Sequence, residues 1–135
     1  DLQFTRNRIR HTVLPALEAA LPSFAGALAR SAQLAAQTDT LLQDLAQIDL
    51  AVVGNPPNIK ALQTLSSARQ INVLRFWLKN TYGVIGSQAQ MQTLHKLIVA
   101  CTTRGHHIHL RVGAGFVQRN QEVLQWLKQS GTIEN

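Results

Sequence analysis

The sequence predicts a mainly α-helical fold, a bundle of four to five helices followed by a small C-terminal antiparallel β-hairpin. Two observations predict it. Apolar residues recur every three to four positions through most of residues 5–101, which is the spacing of one helix face. From His106 onward they alternate with polar residues, which is the spacing of a strand. A length of 135 residues fits one main core.

The first helix is expected from Thr5 to Leu21, with Thr5 as its N-cap. Ile9, Val13 and Leu17 repeat at intervals of four and form its apolar stripe. Pro15 lies inside the segment and has no backbone donor, so we expect a kink or a break near His11–Leu14.

A long second helix is expected to begin after Ser23, its N-cap, with apolar residues spaced close to seven apart in places. The segment Gly54–Asn58 ends it, because two prolines cannot continue a helix and glycine tolerates positive φ. A short extended piece is expected around Ile59–Leu62.

The third helix is predicted to begin at Ser66 or Ser67 and to run to about Thr81, where Gly83 ends it. Its apolar residues cover most of its circumference, so we expect it to be the central buried helix.

The fourth helix is opened by Ser87–Gln90, a capping box with Ser at the N-cap and Gln three positions later. Cys101 lies on its apolar stripe, where a thiol behaves as a small hydrophobic group, so we expect core packing rather than a nucleophile.

The strand pattern covers His106–Val112, and Gly113–Gly115 is read as a three-residue hairpin loop. Phe116–Arg119 is the expected return strand. Glu122–Leu127 fits a third strand or a final short helix, and we prefer the strand.

The charge distribution is the most informative property of the composition. The net charge is +6 and the pI is near 10.5. No carboxylate occurs from Ala51 to Gln121. The basic residues of this acid-free stretch are Lys60, Arg69, Arg75, Lys79, Lys96, Arg104, Arg111 and Arg119. A polyanionic partner is the interpretation this favours, with a merely solvated surface as the alternative.

Enzyme chemistry finds little support in the residues. The pair Gly113 and Gly115 lacks the third glycine and the helix of a dinucleotide site, and no Walker A loop occurs. His106, His107 and His109 have no cysteine pair, HExxH motif or nearby carboxylate to complete a zinc site. We therefore expect no catalytic residue, no metal and no cofactor in this chain.

The cellular setting is inferred from what the sequence lacks. No apolar run is long enough to span a bilayer, and no signal peptide opens the chain. A single cysteine excludes an internal disulfide and fits a reducing compartment, so we expect a cytoplasmic protein without a membrane partner. The opening at Asp1 without Met and the close at Gly131–Asn135 suggest a piece of a longer or processed protein.

Two groups of basic residues are candidate contacts to nucleic acid. On the first helix, Arg6 and Arg10 share one face with Asn7 and His11 beside them. A guanidinium matches phosphate oxygens, although the same set suits a solvated helix end or the carboxylates of a neighbouring domain. The second group lies on the third helix and consists of Asn72, Arg75 and Lys79, with Arg69 one turn earlier.

The segment Phe4–Leu17, with its pattern RN-x-IR-x3-LP, resembles the region that follows the catalytic domain in bacterial tRNA(Ile)-lysidine synthetases. Later pieces resemble the same family in the expected order. They are Ala68-Arg69, Phe76-Trp77-Leu78, Ser87, Val112-Gly113 and Arg119. The loop Asn55–Asn58 is longer than the family pattern.

The resemblance implies an enzyme that activates the wobble cytidine of the CAU anticodon of tRNA(Ile) with ATP and joins it to lysine. The SGGxDS loop of the ATP-binding domain is absent from this sequence, so ATP and Mg belong to a catalytic domain outside it. Residues 1–22 then form a basic connector from that domain, which is itself a partner, and residues 23–135 form the helical tRNA-binding domain.

The expected contacts to tRNA(Ile) are Arg6, Asn7, Arg10, His11, Arg69, Arg75, Lys79, Arg111 and Arg119. The alternative is a docking domain that packs on the catalytic domain or on an acidic protein without binding RNA. A homodimer through Phe116 and Trp126 also stays open. A helix-turn-helix module is disfavoured, because the turn between the second and third helices is long and rich in proline.

Overall fold

The computed structural model of the chain describes residues 2–130, so the expectations about Asp1 and Gly131–Asn135 lie outside the described residues. Within this range the chain forms five helices and one sheet of three strands, which confirms the mainly α fold. The elements are α1 (Leu2–Ala20), α2 (Phe24–Val53), α3 (Ile59–Gln63), α4 (Ser67–Tyr82), α5 (Gln88–Ala100), β1 (His109–Val112), β2 (Gly115–Asn120) and β3 (Val123–Lys128).

Helix α1 already includes Leu2, so the prediction of Thr5 as its N-cap is wrong. Residues 2–4 contain no helix breaker and extend the helix before the threonine. The disturbance expected before Pro15 takes the form of a π-helical turn over Ile9–Val13, in which the N–H of Leu14 donates to the carbonyl of Ile9. This wider turn lets the helix continue past a residue that has no backbone donor.

The chain divides into two compact units between Leu41 and Leu42. In the first unit none of residues 2–41 is buried. The start of α2 is capped there by Glu18, whose Oε2 accepts the N–H of Ala25 at 3.1 Å. A carboxylate at a helix N-terminus also interacts favourably with the helix dipole. The sequence-based boundary between residues 22 and 23 stays a prediction.

The core of the second unit is built around α4, as its apolar circumference predicts. Val73, Leu74, Trp77 and Leu78 have no exposed surface. Residues from the neighbouring elements close the core. They are Val53, Ile59, Leu62, Met91, Leu94, Ile98, Val112, Val117 and Leu124.

Helix α3 corrects the expected extended piece at Ile59–Leu62. The side chain of Asn58 accepts the N–H of Ala61 at 3.0 Å and opens a short helix directly after the two prolines. Ile59 and Leu62 then lie on one face and enter the core. The expectation missed this asparagine cap, which starts a helix as soon as the two prolines are passed.

The ends of α4 and α5 agree with the sequence. The Ser66 hydroxyl accepts the N–H of Arg69, and Gly83 ends α4 with a φ of +67°. At α5 the capping box is complete, since Ser87 accepts the N–H of Gln90 and the Gln90 side chain accepts the N–H of Ser87.

The sheet is antiparallel with the strand order β1-β2-β3, which confirms the preferred third strand. Val112 pairs with Gly115, so the turn has two residues, Gly113 and Ala114, and the expected three-residue loop is wrong. Gly113 has a φ of +62°, which a glycine adopts at the first position of a tight hairpin turn. This shorter turn matches the twist of the two strands.

The two faces of the sheet differ in their burial. The inner face carries Val112, Val117 and Leu124 into the core. The register places a second set of side chains on the outer face. They are His109, Arg111, Phe116, Gln118, Gln125 and Leu127.

The sheet is joined to the start of α3 at the β2–β3 turn. The N–H of Ile59 donates to the carbonyl of Glu122 at 2.8 Å, and the N–H of Leu124 donates to the carbonyl of Pro57 at 3.0 Å. These bonds bring Lys60 beside the turn. None of the described helices is by itself long and apolar enough to cross a bilayer, and α1 and α2 pass that test only as a bent pair, by length and composition.

Candidate nucleic-acid interface

A cavity of about 640 Å³ lies in the second unit, where the start of α3, the loop between α5 and β1, and the β2–β3 turn meet. We call it the basic cavity. Its lining residues are Ile59, Lys60, Cys101, Thr102, Thr103, Arg104, His106, His107, Arg119, Gln121 and Glu122. Three of them are cations and Glu122 is the one carboxylate of this described lining, so the cavity favours an anion.

Arg119 holds the wall of the basic cavity together. Its Nη1 donates to the carbonyls of Thr103 at 2.8 Å and His106 at 3.0 Å, and it lies 3.1 Å from the Sγ of Cys101. Its Nε donates to the carbonyl of Gln121 at 2.6 Å. These donors are used inside the protein, so Arg119 shapes the cavity and adds its charge to it.

Lys60 and Arg104 supply the cationic groups that face solvent. Lys60 is the second residue of α3 and Arg104 lies in the loop between α5 and β1, and both are exposed. Neither takes part in an ion pair within the described part of the chain. Their charges are therefore available to an incoming phosphate.

The three histidines that follow α5 in the sequence do not lie at a common site. His106 and His107 line the basic cavity, whereas the ring of His109 stacks on Phe116 on the outer face of the sheet, with centroids 4.4 Å apart. Across residues 2–130 no group of three or more His, Cys, Asp or Glu side chains is arranged to hold a metal ion. Cys101 is buried, which agrees with its expected packing role.

The α4 residues predicted to contact RNA fall into two kinds. Arg75 and Lys79 are exposed one turn apart. Asn72 donates its Nδ2 to the carbonyl of Leu42 at 2.8 Å, and Arg69 is paired with Asp49. Arg75 and Lys79 thus present free charge on α4.

The remaining sequence-predicted residues lie elsewhere. Arg6, Asn7, Arg10 and His11 are all exposed on α1, in the first unit. Arg111 is exposed on β1 and belongs to the outer face of the sheet. Sequence reasoning did not include Lys60 and Arg104, because the fold alone brings residues so far apart in sequence to one cavity. The only available signal was the absence of carboxylates between Ala51 and Gln121.

The sequence profile of one family, described as the TilS substrate binding domain, matches residues 58–125. This match runs from the cap of α3 into β3 and includes every residue given above for the lining of the basic cavity.

Several curated proteins are similar to the chain over longer stretches. The tRNA(Ile)-lysidine synthase of Polaromonas naphthalenivorans is 56% identical over 119 residues, which are 88% of this chain and 36% of that protein. The enzyme of the same name from Escherichia coli O157:H7 is 33% identical over 100% of this chain and 32% of its own length. That from Burkholderia pseudomallei is 42% identical over 66% of this chain and 19% of its own. The chain therefore spans about a third or less of these relatives.

Proposed function

The chain belongs to the TilS substrate-binding domain family, and from this we propose that it is the tRNA-binding part of a cytoplasmic, ATP-dependent tRNA(Ile)-lysidine synthase. The complete enzyme would join lysine to the wobble cytidine of the CAU anticodon of tRNA(Ile). The contribution of this chain would be to hold the tRNA against a catalytic domain of the same protein.

The described lining of the basic cavity does not fit an ATP and Mg site. Mg²⁺ is held by oxygen ligands, usually with carboxylates among them, and the described lining of the basic cavity offers the single carboxylate of Glu122. The sequence has no glycine-rich phosphate loop that opens a helix. No step of the ATP chemistry is therefore assigned to these residues.

The observation that carries the proposal is the net positive charge of the second unit, which is nine minus four, or +5, against four minus three, or +1, for Asp1–Leu41. Residues Leu42–Asn135 contain nine of the thirteen Lys and Arg residues and four of the seven acidic residues. One of those acids, Asp49, is buried and paired with Arg69. The pair removes one acid and one base, so the remaining eight basic and three acidic residues of this unit still carry a net charge of +5.

Binding would proceed mainly through the phosphates. Lys60 and Arg104 at the basic cavity, with Arg75 and Lys79 on α4, would neutralise backbone charge and release counterions. Backbone contacts of this kind read the shape of A-form RNA more than its sequence. Specificity for the CAU anticodon would then depend on the catalytic domain as well as on this chain.

A docking role for the first unit is the second candidate, and one observation favours it. Leu2 and Phe4 are 88% and 70% exposed, and none of residues 2–41 is buried. Large apolar side chains in this state fit a surface that another protein domain covers. Arg6 and Arg10 would then pair with carboxylates of that domain rather than with phosphates.

The test is binding of the purified chain to tRNA(Ile) with a CAU anticodon, compared with tRNA(Met) and duplex DNA across a salt series. We expect salt-dependent binding with a preference for tRNA(Ile). Equal weak binding to all three polyanions would assign recognition to other parts of the enzyme and contradict the proposal for this chain.

A further inference from the structure

The outer face of the sheet carries a surface that phosphate binding leaves unused. We propose that this face is a stacking platform for an unpaired base of the RNA substrate. The inference rests on the proposed function, because it names how the same substrate would touch a second side of the sheet.

The centre of the platform is a pair of stacked rings. His109 on β1 and Phe116 on β2 lie with ring centroids 4.4 Å apart and an angle of 17° between their planes. His109 is exposed and Phe116 is half-buried. A nucleobase adds to such a pair by continuing the stack, since every base has a flat π-face.

The core does not require these rings. The inner face of the same strands fills the core with Val112, Val117 and Leu124. On the outer face Leu127, the strand partner of Phe116, is 47% exposed. Apolar and aromatic surface is thus presented to solvent by strands whose other face already supplies the packing.

Polar groups of the right kind surround the rings. Arg111 is the strand partner of Phe116, and Gln118 is the strand partner of both His109 and Gln125. An amide side chain offers a donor and an acceptor to the edge of a base, and a guanidinium stacks on rings or binds phosphate. The Oε1 of Gln125 already accepts a hydrogen bond from the Nδ2 of Asn120 at 3.3 Å.

Charge favours a nucleotide over a protein as the occupant. The outward positions of the three described strands include Arg111 and His109 and no carboxylate. The apolar area is small, because Phe116 and Leu127 are its main members, whereas the core of a protein interface depends on larger apolar area. A single flat base beside a phosphate matches both the positive charge and the small apolar area of this face.

The test uses the full 135-residue chain and two dye-labelled single-stranded RNA probes, a hexaadenylate and the same backbone with abasic riboses at its centre. Fluorescence anisotropy measures both affinities. We expect Phe116→Leu and His109→Ala each to weaken hexaadenylate binding by about tenfold and to leave the abasic probe unchanged. The matched control is Lys60→Gln, which is expected to weaken both probes equally.

The outcomes separate the platform from the proposed function. Circular dichroism checks that Phe116→Leu is folded. If Phe116→Leu does not fold, His109→Ala alone decides the test, because His109 is exposed and its replacement does not affect the core. Equal losses for both probes, or no loss, overturn the platform while tRNA binding upholds the proposed function. Failure to bind tRNA and both probes overturns both. A dimer that Phe116→Leu abolishes in sedimentation also overturns the platform, since the face would then contact protein.

Discussion

Arg69 on α4 donates two side-chain hydrogen bonds to the carboxylate of Asp49 on α2, a residue without exposed surface. The Nε reaches Oδ2 at 3.1 Å, and Nη2 reaches Oδ1. These hydrogen bonds and the charge of Asp49 raise the pKa of Arg69 above its ordinary value. A buried carboxylate is costly without such a partner, so the pair is part of the fold whatever else Arg69 contacts.

Arg69→Met is expected to lower the Tm of the chain by at least about 5 °C, because it leaves the Asp49 carboxylate buried and unpaired. The matched control is Arg75→Met on the same helix, since Arg75 is exposed. Thermal unfolding followed by circular dichroism measures both. Equal Tm values for the two variants would contradict a structural role for the ion pair.

Gly115→Ala is expected to disrupt the hairpin. A Cβ at Gly115 would overlap the carbonyl oxygen of Leu127 and lie 2.6 Å from the ring of Trp126, and the Leu127 backbone is held in the strand pairing. We expect a loss of about 2 kcal/mol or more in the free energy of unfolding, measured by urea denaturation. Gly105→Ala, which meets nothing within 4 Å, should stay within about 0.5 kcal/mol of the wild type. A mild effect at Gly115 would count against the strand register.

Arg119→Gln is expected to loosen the loop between α5 and β1, since Nη1 no longer joins Thr103 and His106. Cys101 is buried beside that guanidinium and should become accessible. We expect its reaction with a thiol reagent to accelerate by roughly tenfold, the ratio that corresponds to about 1.4 kcal/mol of local opening. Arg111→Gln, on the outer face, serves as the control and should leave the rate unchanged. An unaltered reaction rate of Cys101 in Arg119→Gln would show that the hydrogen bonds of Arg119 do not hold this loop in place.

The double substitution Arg6→Ala with Arg10→Ala distinguishes the two roles of α1. If this helix contacts tRNA, binding weakens and its salt dependence flattens while the Tm is unchanged, because exposed arginines add little to stability. Binding titrations and melting curves on one preparation give both quantities. Unchanged tRNA affinity and an unchanged salt dependence would favour docking instead.

Much of the fold could be predicted because its signals are local. Ser87 and Gln90 lie three residues apart, and a capping box needs nothing else. Gly83 ends α4 through its own backbone freedom. The failures are also local conflicts. At Asn58 a capping side chain starts a helix directly after a proline-containing loop, and at Gly113 two possible turn lengths shared one glycine-rich segment.

The candidate site was less predictable, because its geometry depends on pairs that are distant in sequence. Asp49 lies 20 residues from Arg69, and no periodicity links them. Arg119 has the appearance of a free cation in the sequence, yet its donors reach carbonyls 13 and 16 residues earlier in the chain. Lys60 and Arg104 meet at one cavity only because the start of α3 pairs with the β2–β3 turn. The composition indicated an excess of basic residues, and the fold determines which of them are free to contact phosphate.

The most direct test of tRNA binding through the basic cavity is the salt dependence of tRNA(Ile) affinity for Lys60→Gln with Arg104→Gln. Each phosphate contact adds about one to the slope of log affinity against log salt, so we expect the slope to fall by about two with an unchanged Tm. Lys96→Gln, an exposed charge on α5 that does not line the cavity, should preserve the slope. A double variant with the wild-type slope would show that tRNA is bound elsewhere.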